Sequence, residues 1–203
     1  MSMTNQLLVC AIGEDRPGIV AQLTEVVARH GGNLEESRMA ILGGEFAAIM
    51  LVTVALERVD AFKTELHRLN GDSLNVIVKP TQRLDPNRFK GHSYYDITLN
   101  GADHEGIVHK VSALLHERSI NIQSMDTDLV NAPETGTPLF RMKAIVAVPK
   151  SMGLQTLQED LRKLGNQENV DITVQSRAEE SSSGRELSAI SAAVPPSSSR
   201  QDH

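Results

Sequence analysis

No internal disulfide can form in this chain, because its 203 residues include a single cysteine, Cys10. That usage fits a reducing compartment. Cys10 sits inside a short apolar run and is read as a buried structural thiol, not a reactive one. No stretch approaches the ~18 consecutive apolar residues of a membrane span. The first residues carry no basic segment ahead of an apolar run, so no secretory signal is expected. Positive charge is also in deficit: the formal net charge is -6, with 20 Lys and Arg against 26 Asp and Glu. Direct capture of a nucleic acid rests on clustered Lys and Arg and is disfavoured. The expectation is a soluble, cytoplasmic protein with no membrane partner and no direct nucleic-acid partner.

Catalytic signatures are missing as well. The chain has no Gly-x-Ser-x-Gly elbow, no P-loop and no Cys–His pair in a sensible context. His109 and His116 are seven residues apart on one predicted helix, about 10 Å along its axis. That is too far to share a metal ion with bonds near ~2 Å, so both are read as surface histidines. Asp126 and Asp128 alternate on a predicted edge strand and are read as solvated edge charges that discourage aggregation. No enzyme, cofactor or metal is implied.

What the chain does contain is a repeat. Gly13-Glu-Asp-Arg-Pro-Gly-Ile-Val20 recurs as Gly101-Ala-Asp-His-Glu-Gly-Ile-Val108, a shift of 88 residues that persists to Asn33-Leu34 and Asn121-Ile122. Two copies of one small domain follow. At roughly 80 residues, each copy buries apolar surface only marginally well on its own. The expected layout is a first domain over 1–79, a linker over 80–93, a second domain over 94–176 and a Ser-rich disordered tail over 177–203. Lys79, Arg83, Arg88 and Lys90 make the linker region locally basic, as a solvated connector.

Within the first copy, Leu7 to Ile12 reads as a central strand stopped by Gly13. Asp15 is a natural N-cap, with Pro17 in the first helical turn. Ile19, Val20, Leu23, Val26 and Val27 form one helical stripe, which Gly31-Gly32 ends. Strands over 33–42 and 46–55 flank a Gly43-Gly44 turn. A helix over 60–69 and an alternating strand from Leu74 to Val78 complete the unit. The second copy runs the same way, with strands over 95–99, 121–130, 140–148 and 170–174. Its helices cover 107–118 and 154–164, the latter stopped by Gly165, and its hairpin loop carries six extra residues. Right-handed crossovers turn this order into an α+β, ferredoxin-like βαββαβ fold, with both helices on one face of a four-stranded antiparallel sheet.

The repeated loop is the candidate site. A helix opened by a Gly-flanked turn presents unpaired N–H groups at the positive end of its dipole, a receptor for a carboxylate. Asp15 or Asp103 at that turn could take an ammonium group, and Asn33 or Asn121 offers an amide donor and acceptor. Together these describe an amino-acid site. An Asp N-cap and an Asn after a helix end are also ordinary stabilising devices, and both readings stand on the residues alone.

Asp15-Arg-Pro-Gly-Ile-Val20 followed by Gly32-Asn33-Leu34 resembles the ACT domain, a small-molecule-sensing module, over about residues 6 to 176. The second copy departs from the motif at Glu105, where Pro is usual, and at Ser119, where a helix-ending Gly is usual. Among tandem ACT chains without an attached enzyme, length and opening segment most resemble the transcriptional repressors of the glycine cleavage system. The resemblance implies two domains paired side by side, each ligand held between one copy's loop and the other's second strand. One site would join Asp15, Arg16 and Gly18 to Asn121, and the other Asp103, His104 and Gly106 to Asn33. Glu105 adds negative charge that weakens carboxylate binding in the second loop. The implied function is a sensor of an amino acid, glycine favoured, acting through a transcriptional activator protein, with a homodimer as a further expectation. The alternative is a regulatory or assembly subunit of an enzyme of amino-acid or one-carbon metabolism.

Overall fold

The computed structural model describes residues 4–82, 85, 88–131 and 138–177. The chain divides into two units, 1–88 and 89–203. In the first, β1 (Thr4–Glu14), α1 (Ile19–Arg29), β2 (Asn33–Leu42), β3 (Glu45–Ala55), α2 (Val59–His67) and β4 (Leu74–Thr81) follow one another. The second runs β5 (His92–Ala102), α3 (Ile107–Glu117), β6 (Asn121–Asn131), β7 (Pro138–Pro149), α4 (Leu154–Glu168) and β8 (Val170–Ser176). Strand orders are β2-β3-β1-β4 and β6-β7-β5-β8, all neighbours antiparallel. Both units are thus the βαββαβ ferredoxin-like fold that the sequence pattern predicts. β1 and β2 run the same way with β3 between them, a geometry that requires a crossover, and α1 supplies it.

Period-2 alternation decides which side chains enter each core. Leu7, Val9 and Ala11 of β1 are buried against Leu23 and Val26 of α1 and Phe62 and Leu66 of α2, in one cluster. Fully burying one such Leu or Phe is worth roughly 1.5–3 kcal/mol. Val20, expected on the helical stripe, is 37% exposed. The opposite parity of β1 carries Leu8, Cys10 and Ile12 to the sheet's other face. Cys10 is consequently half-buried there, not a buried core thiol. In the second unit Ile97, Leu99, Val111, Leu115, Leu157 and Leu161 make the equivalent core.

Several boundaries differ from the sequence expectation for identifiable reasons. β1 does not stop at Gly13 but continues to Glu14, because Gly13 stays in register with Phe46 and Leu74. α4 does not end at Gly165. A Cβ there would lie 2.7 Å from the Val170 carbonyl oxygen, so this glycine lets the helix lie close to β8. The helix continues to Glu168 and ends at Asn169, a left-handed residue at φ 54°. Similarly, α2 ends at His67, before Gly71, which instead closes a tight turn by donating its N–H to the Leu74 carbonyl at 2.9 Å. Gly43 and Gly44, at φ 61° and 87°, join β2 to β3 with the left-handed pair that matches strand twist.

β4 runs to Thr81 and β5 begins at His92, so strands occupy both ends of the expected 80–93 linker. Residues 83, 84, 86 and 87 lie outside the described residues, as do 132–137 of the longer hairpin loop and 178–203 of the Ser-rich tail. Arg177 bonds back to β5 through its N–H to the Tyr94 carbonyl and its guanidinium to Asp96. Among the described residues, no helix is long and apolar enough to cross a membrane.

Candidate functional site

The loop after β1 is clamped at both sides by backbone hydrogen bonds. Glu14 N–H donates to the Ser73 carbonyl and Asp15 N–H to the Gly44 carbonyl, each at 3.1 Å. The repeated first glycine of the motif makes this possible. A Cβ on Gly13 would sit 2.1 Å from the Ser73 oxygen, and one on Gly101 2.5 Å from Val170 Cγ1. The repeated second glycine turns the chain into the helix. Gly18 at φ 90° and Gly106 at φ 84° are the N-caps of α1 and α3, and neither helix has a side-chain cap. This corrects the expectation that Asp15 caps α1 with Pro17 inside it. A left-handed glycine lets the helix begin at Ile19, leaving Asp15 and Pro17 upstream. The first-turn N–H groups therefore have no side-chain acceptor, at the end of the helix dipole that attracts anions.

The two loops differ in charge. Arg16 donates from Nη2 to Gln22 Oε1 at 2.6 Å. His104, at the Arg16 position, has Nε2 buried without a hydrogen-bond partner and 3.9 Å from Glu168 Oε2. Lys110 Nζ reaches the same carboxylate oxygen at 2.5 Å. Glu168 stands there because α4 runs past Gly165. The second loop thus has Glu105 where the first has Pro17, and Glu168 paired with Lys110 beside it, whereas the first has Glu14 where the second has Ala102.

Asn33 and Asn121 each open a strand with a β-bulge two residues later. β2 slips register against β3 between Leu34 and Glu36, and β6 against β7 between Ile122 and Ser124. The extra residues are Glu35 and Gln123, and neither was anticipated from the sequence. Asn33 Nδ2 and Thr53 Oγ1 both donate to Glu35 Oε1 at 3.0 Å. Asn121 Nδ2 instead donates to the Ile122 carbonyl at 3.2 Å.

Within a unit the loop and the asparagine are far apart. Glu14, at the loop, pairs with Glu45, whereas Asn33 pairs with Thr53 at the other end of β3. Eight residues of strand separate them, about 26 Å. The second unit repeats the separation, with Ala102 opposite Leu139 and Asn121 opposite Ala147. Neither unit brings its own aspartate and asparagine together.

Other polar groups are structural. Asp126 lies opposite Lys143, and Asp128 accepts from Arg141 Nη2 at 2.6 Å. His109 and His116 are exposed on α3. Among the described residues no three His, Cys, Asp or Glu side chains gather as metal ligands. At the end of α1, Glu65 accepts from His30 Nε2 at 2.6 Å and pairs with Arg29 at 2.5 Å. The His30 hydrogen bond holds Glu65 below the usual carboxylate range, with partial burial opposing it and the Arg29 charge adding to it.

Comparison with known proteins fits this geometry. The ACT domain model matches residues 5–78. A UPF0237 protein of Methanocaldococcus jannaschii is 37% identical over 76 residues, covering 36% of this chain and 83% of the relative. The chain belongs to the ACT-domain family. The glycine cleavage system transcriptional repressor of Escherichia coli (strain K12) is 29% identical over 125 residues, 62% of this chain. That alignment spans 65% of the repressor's length. Two crystal structures span both ACT units. A protein of unknown function from Galdieria sulphuraria has a TM-score of 0.75 at 30% identity, over 86% of this chain and 99% of its own. A protein put forward as a glycine cleavage system transcriptional repressor has a TM-score of 0.63 at 25% identity, over 87% and 99%.

Proposed function

We propose that this tandem ACT protein is a non-enzymatic regulator that binds an amino acid, glycine favoured, and thereby changes its affinity for a protein partner, a transcriptional activator. One observation carries the reading. Each ACT unit separates its anion-receptive loop from its asparagine by the length of a strand, so a site using both must draw them from different units. In that arrangement the ligand carboxylate meets the N-terminus of α1, its ammonium group meets Asp15, and Asn121 of the other unit completes the site. Arg16 and Gly18 shape the loop. The mirror site takes Asp103, His104 and Gly106 with Asn33, and is the weaker of the two because Glu105 and Glu168 oppose a carboxylate. Likeness to a repressor named for the glycine cleavage system is what favours glycine and a transcriptional partner. A ligand acts on such a partner only through unequal affinity for the bound and free states, and the coupling is reciprocal.

Thermal unfolding against a panel of single amino acids tests the reading. Glycine at 100 times its Kd adds about 2.7 kcal/mol of stability. Asp15→Ala and Asn121→Ala, made singly, each remove that gain. Full ligand stabilisation in both variants rules out the pairing, and a chain that responds to no amino acid is not a sensor of this kind.

A further inference from the structure

Both units turn the amide of their exposed asparagine the same way, but they do it by different means. A carboxylate or a backbone carbonyl only accepts hydrogen bonds, so the end of an amide that faces it must be the NH2 end. Asn33 gives Nδ2 to Glu35 Oε1 at 3.0 Å, and Asn121 gives Nδ2 to the Ile122 carbonyl at 3.2 Å. One N–H remains on each Nδ2, but the side of the amide away from the acceptor is the oxygen. An exposed Oδ1 in that position accepts from a ligand that donates.

The first unit adds an anchor from across the sheet. Glu35 is the extra residue of the β2 bulge, the kind of irregularity that re-aims a side chain. Its Oε1 receives Asn33 and also the hydroxyl of Thr53, the residue opposite Asn33 on β3. The carboxylate thus ties the amide to the neighbouring strand. In the second unit the bulge residue is Gln123, whose amide presents a donor or an acceptor. Ala147 stands opposite Asn121 and has no hydroxyl. Asn121 is held by the carbonyl of its own neighbour, not by a carboxylate and a threonine.

We infer that Glu35 is a positioning residue for ligand binding: it fixes the Asn33 amide with Oδ1 outward, so that the site containing Asn33 reads an N–H donor, the ammonium group of an amino acid. This rests on the amino-acid site proposed above and gives it a specificity. An amide fixed beforehand loses no freedom on binding, whereas one that samples several orientations binds more weakly in proportion to the competent fraction.

Glycine titrated into the full chain carrying Asn121→Ala, and followed at the Asn33 side-chain NH2 signals by heteronuclear NMR, reads this site by itself. Circular dichroism confirms that each variant is folded. Adding Glu35→Gln leaves a side chain that accepts through Oε1 or donates through Nε2, so the Asn33 amide has two orientations and Kd rises about twofold. Adding Glu35→Leu removes every hydrogen bond and frees both χ angles of Asn33, and Kd rises about five- to tenfold. Both variants lose the same charge, so the difference between them measures positioning. Equal losses in the two overturn the inference, because the carboxylate would then meet the ligand itself. Unchanged affinity in both also overturns it. Trimethylglycine, which keeps the carboxylate but has no N–H, leaves the Asn33 signals in place; a shift equal to that caused by glycine overturns the assigned orientation. Glycine that stabilises the wild-type chain but never moves Asn33 removes the role of Glu35 and leaves the Asn121 site standing. A wild-type chain with no thermal response to any amino acid removes the sensor reading and this role with it.

Discussion

Ser119 occupies at the end of α3 the left-handed position that Gly31 occupies at the end of α1. Their φ values are 55° and 62°. Both ends close with the same two bonds: Gly31 to Ala28 and Gly32 to Val27 in the first unit, Ser119 to His116 and Ile120 to Leu115 in the second. The second unit thus keeps the terminating motif while bearing the steric cost of a Cβ, about 1 kcal/mol. Ser119→Gly should stabilise the second unit by about 0.5–1 kcal/mol in urea denaturation, and Gly31→Ser should destabilise the first by a similar amount. If Ser119→Gly is destabilising, the serine side chain supplies something that this geometry does not include.

Gly165 gives the opposite result to a propensity rule. In a helix interior Gly→Ala ordinarily gains about 1 kcal/mol. Here the new methyl carbon would stand 2.7 Å from a backbone oxygen of Val170, which cannot swing aside like a side chain. Gly165→Ala should therefore destabilise the second unit by about 1–2 kcal/mol, as overpacking outweighs propensity. A stabilised variant in equilibrium unfolding would mean that α4 and β8 lie further apart than described.

Glu65 makes the first unit acid-sensitive. Its pKa is lowered in the fold, chiefly by the His30 hydrogen bond, so it contributes stability above the unfolded carboxylate value. That contribution is lost as pH falls below the ordinary carboxylate range and through the lowered value. Melting temperatures of Glu65→Gln should sit below wild type near neutrality and converge on it toward pH 3. Parallel curves across that range would remove Glu65 from the account.

Glu168 is expected to limit the second ligand site. Glu168→Gln removes a carboxylate that holds Lys110 at 2.5 Å and lies 3.9 Å from His104. The prediction is tighter glycine binding at that loop, seen in calorimetry as a rise from about one toward two sites per chain. An unchanged stoichiometry and Kd would show that the carboxylate does not oppose the ligand.

The fold was legible because both copies carry the same order of periods: an alternating run, a helical stripe, two strands around Gly43-Gly44, a second stripe and a last strand. Errors fell where one residue served two purposes. Gly165 has the composition of a helix stop, but its use is close approach to a strand that only tertiary structure supplies. Asp15 has the chemistry of a cap, but Gly18 holds the position. Asp15 and Asn33 were legible as candidates because the motif repeats, and Arg16 only through the resemblance to the ACT motif. Glu35 and Gln123 were not, because a bulge has no compositional signature. Glu168 was invisible for a related reason, since its role depends on how far α4 continues.

The bulge also explains why β2 reads as mixed in polarity. Leu34 faces the helices with Val52, and after the slip Ser37, Met39 and Ile41 share the inner side with Met50, Ala48 and Phe46. The inward series therefore changes from even to odd numbers at Glu35, and from Ile122 to Met125 in the second copy. Shortening the strand by any other single residue would turn one part of it inside out. Losing Glu35 alone would leave every pairing on both sides intact and produce a regular strand. Tolerance to deletion within β2 and β6 is thus concentrated at one residue, two positions after the asparagine, so natural length variation inside these strands should be confined to that position.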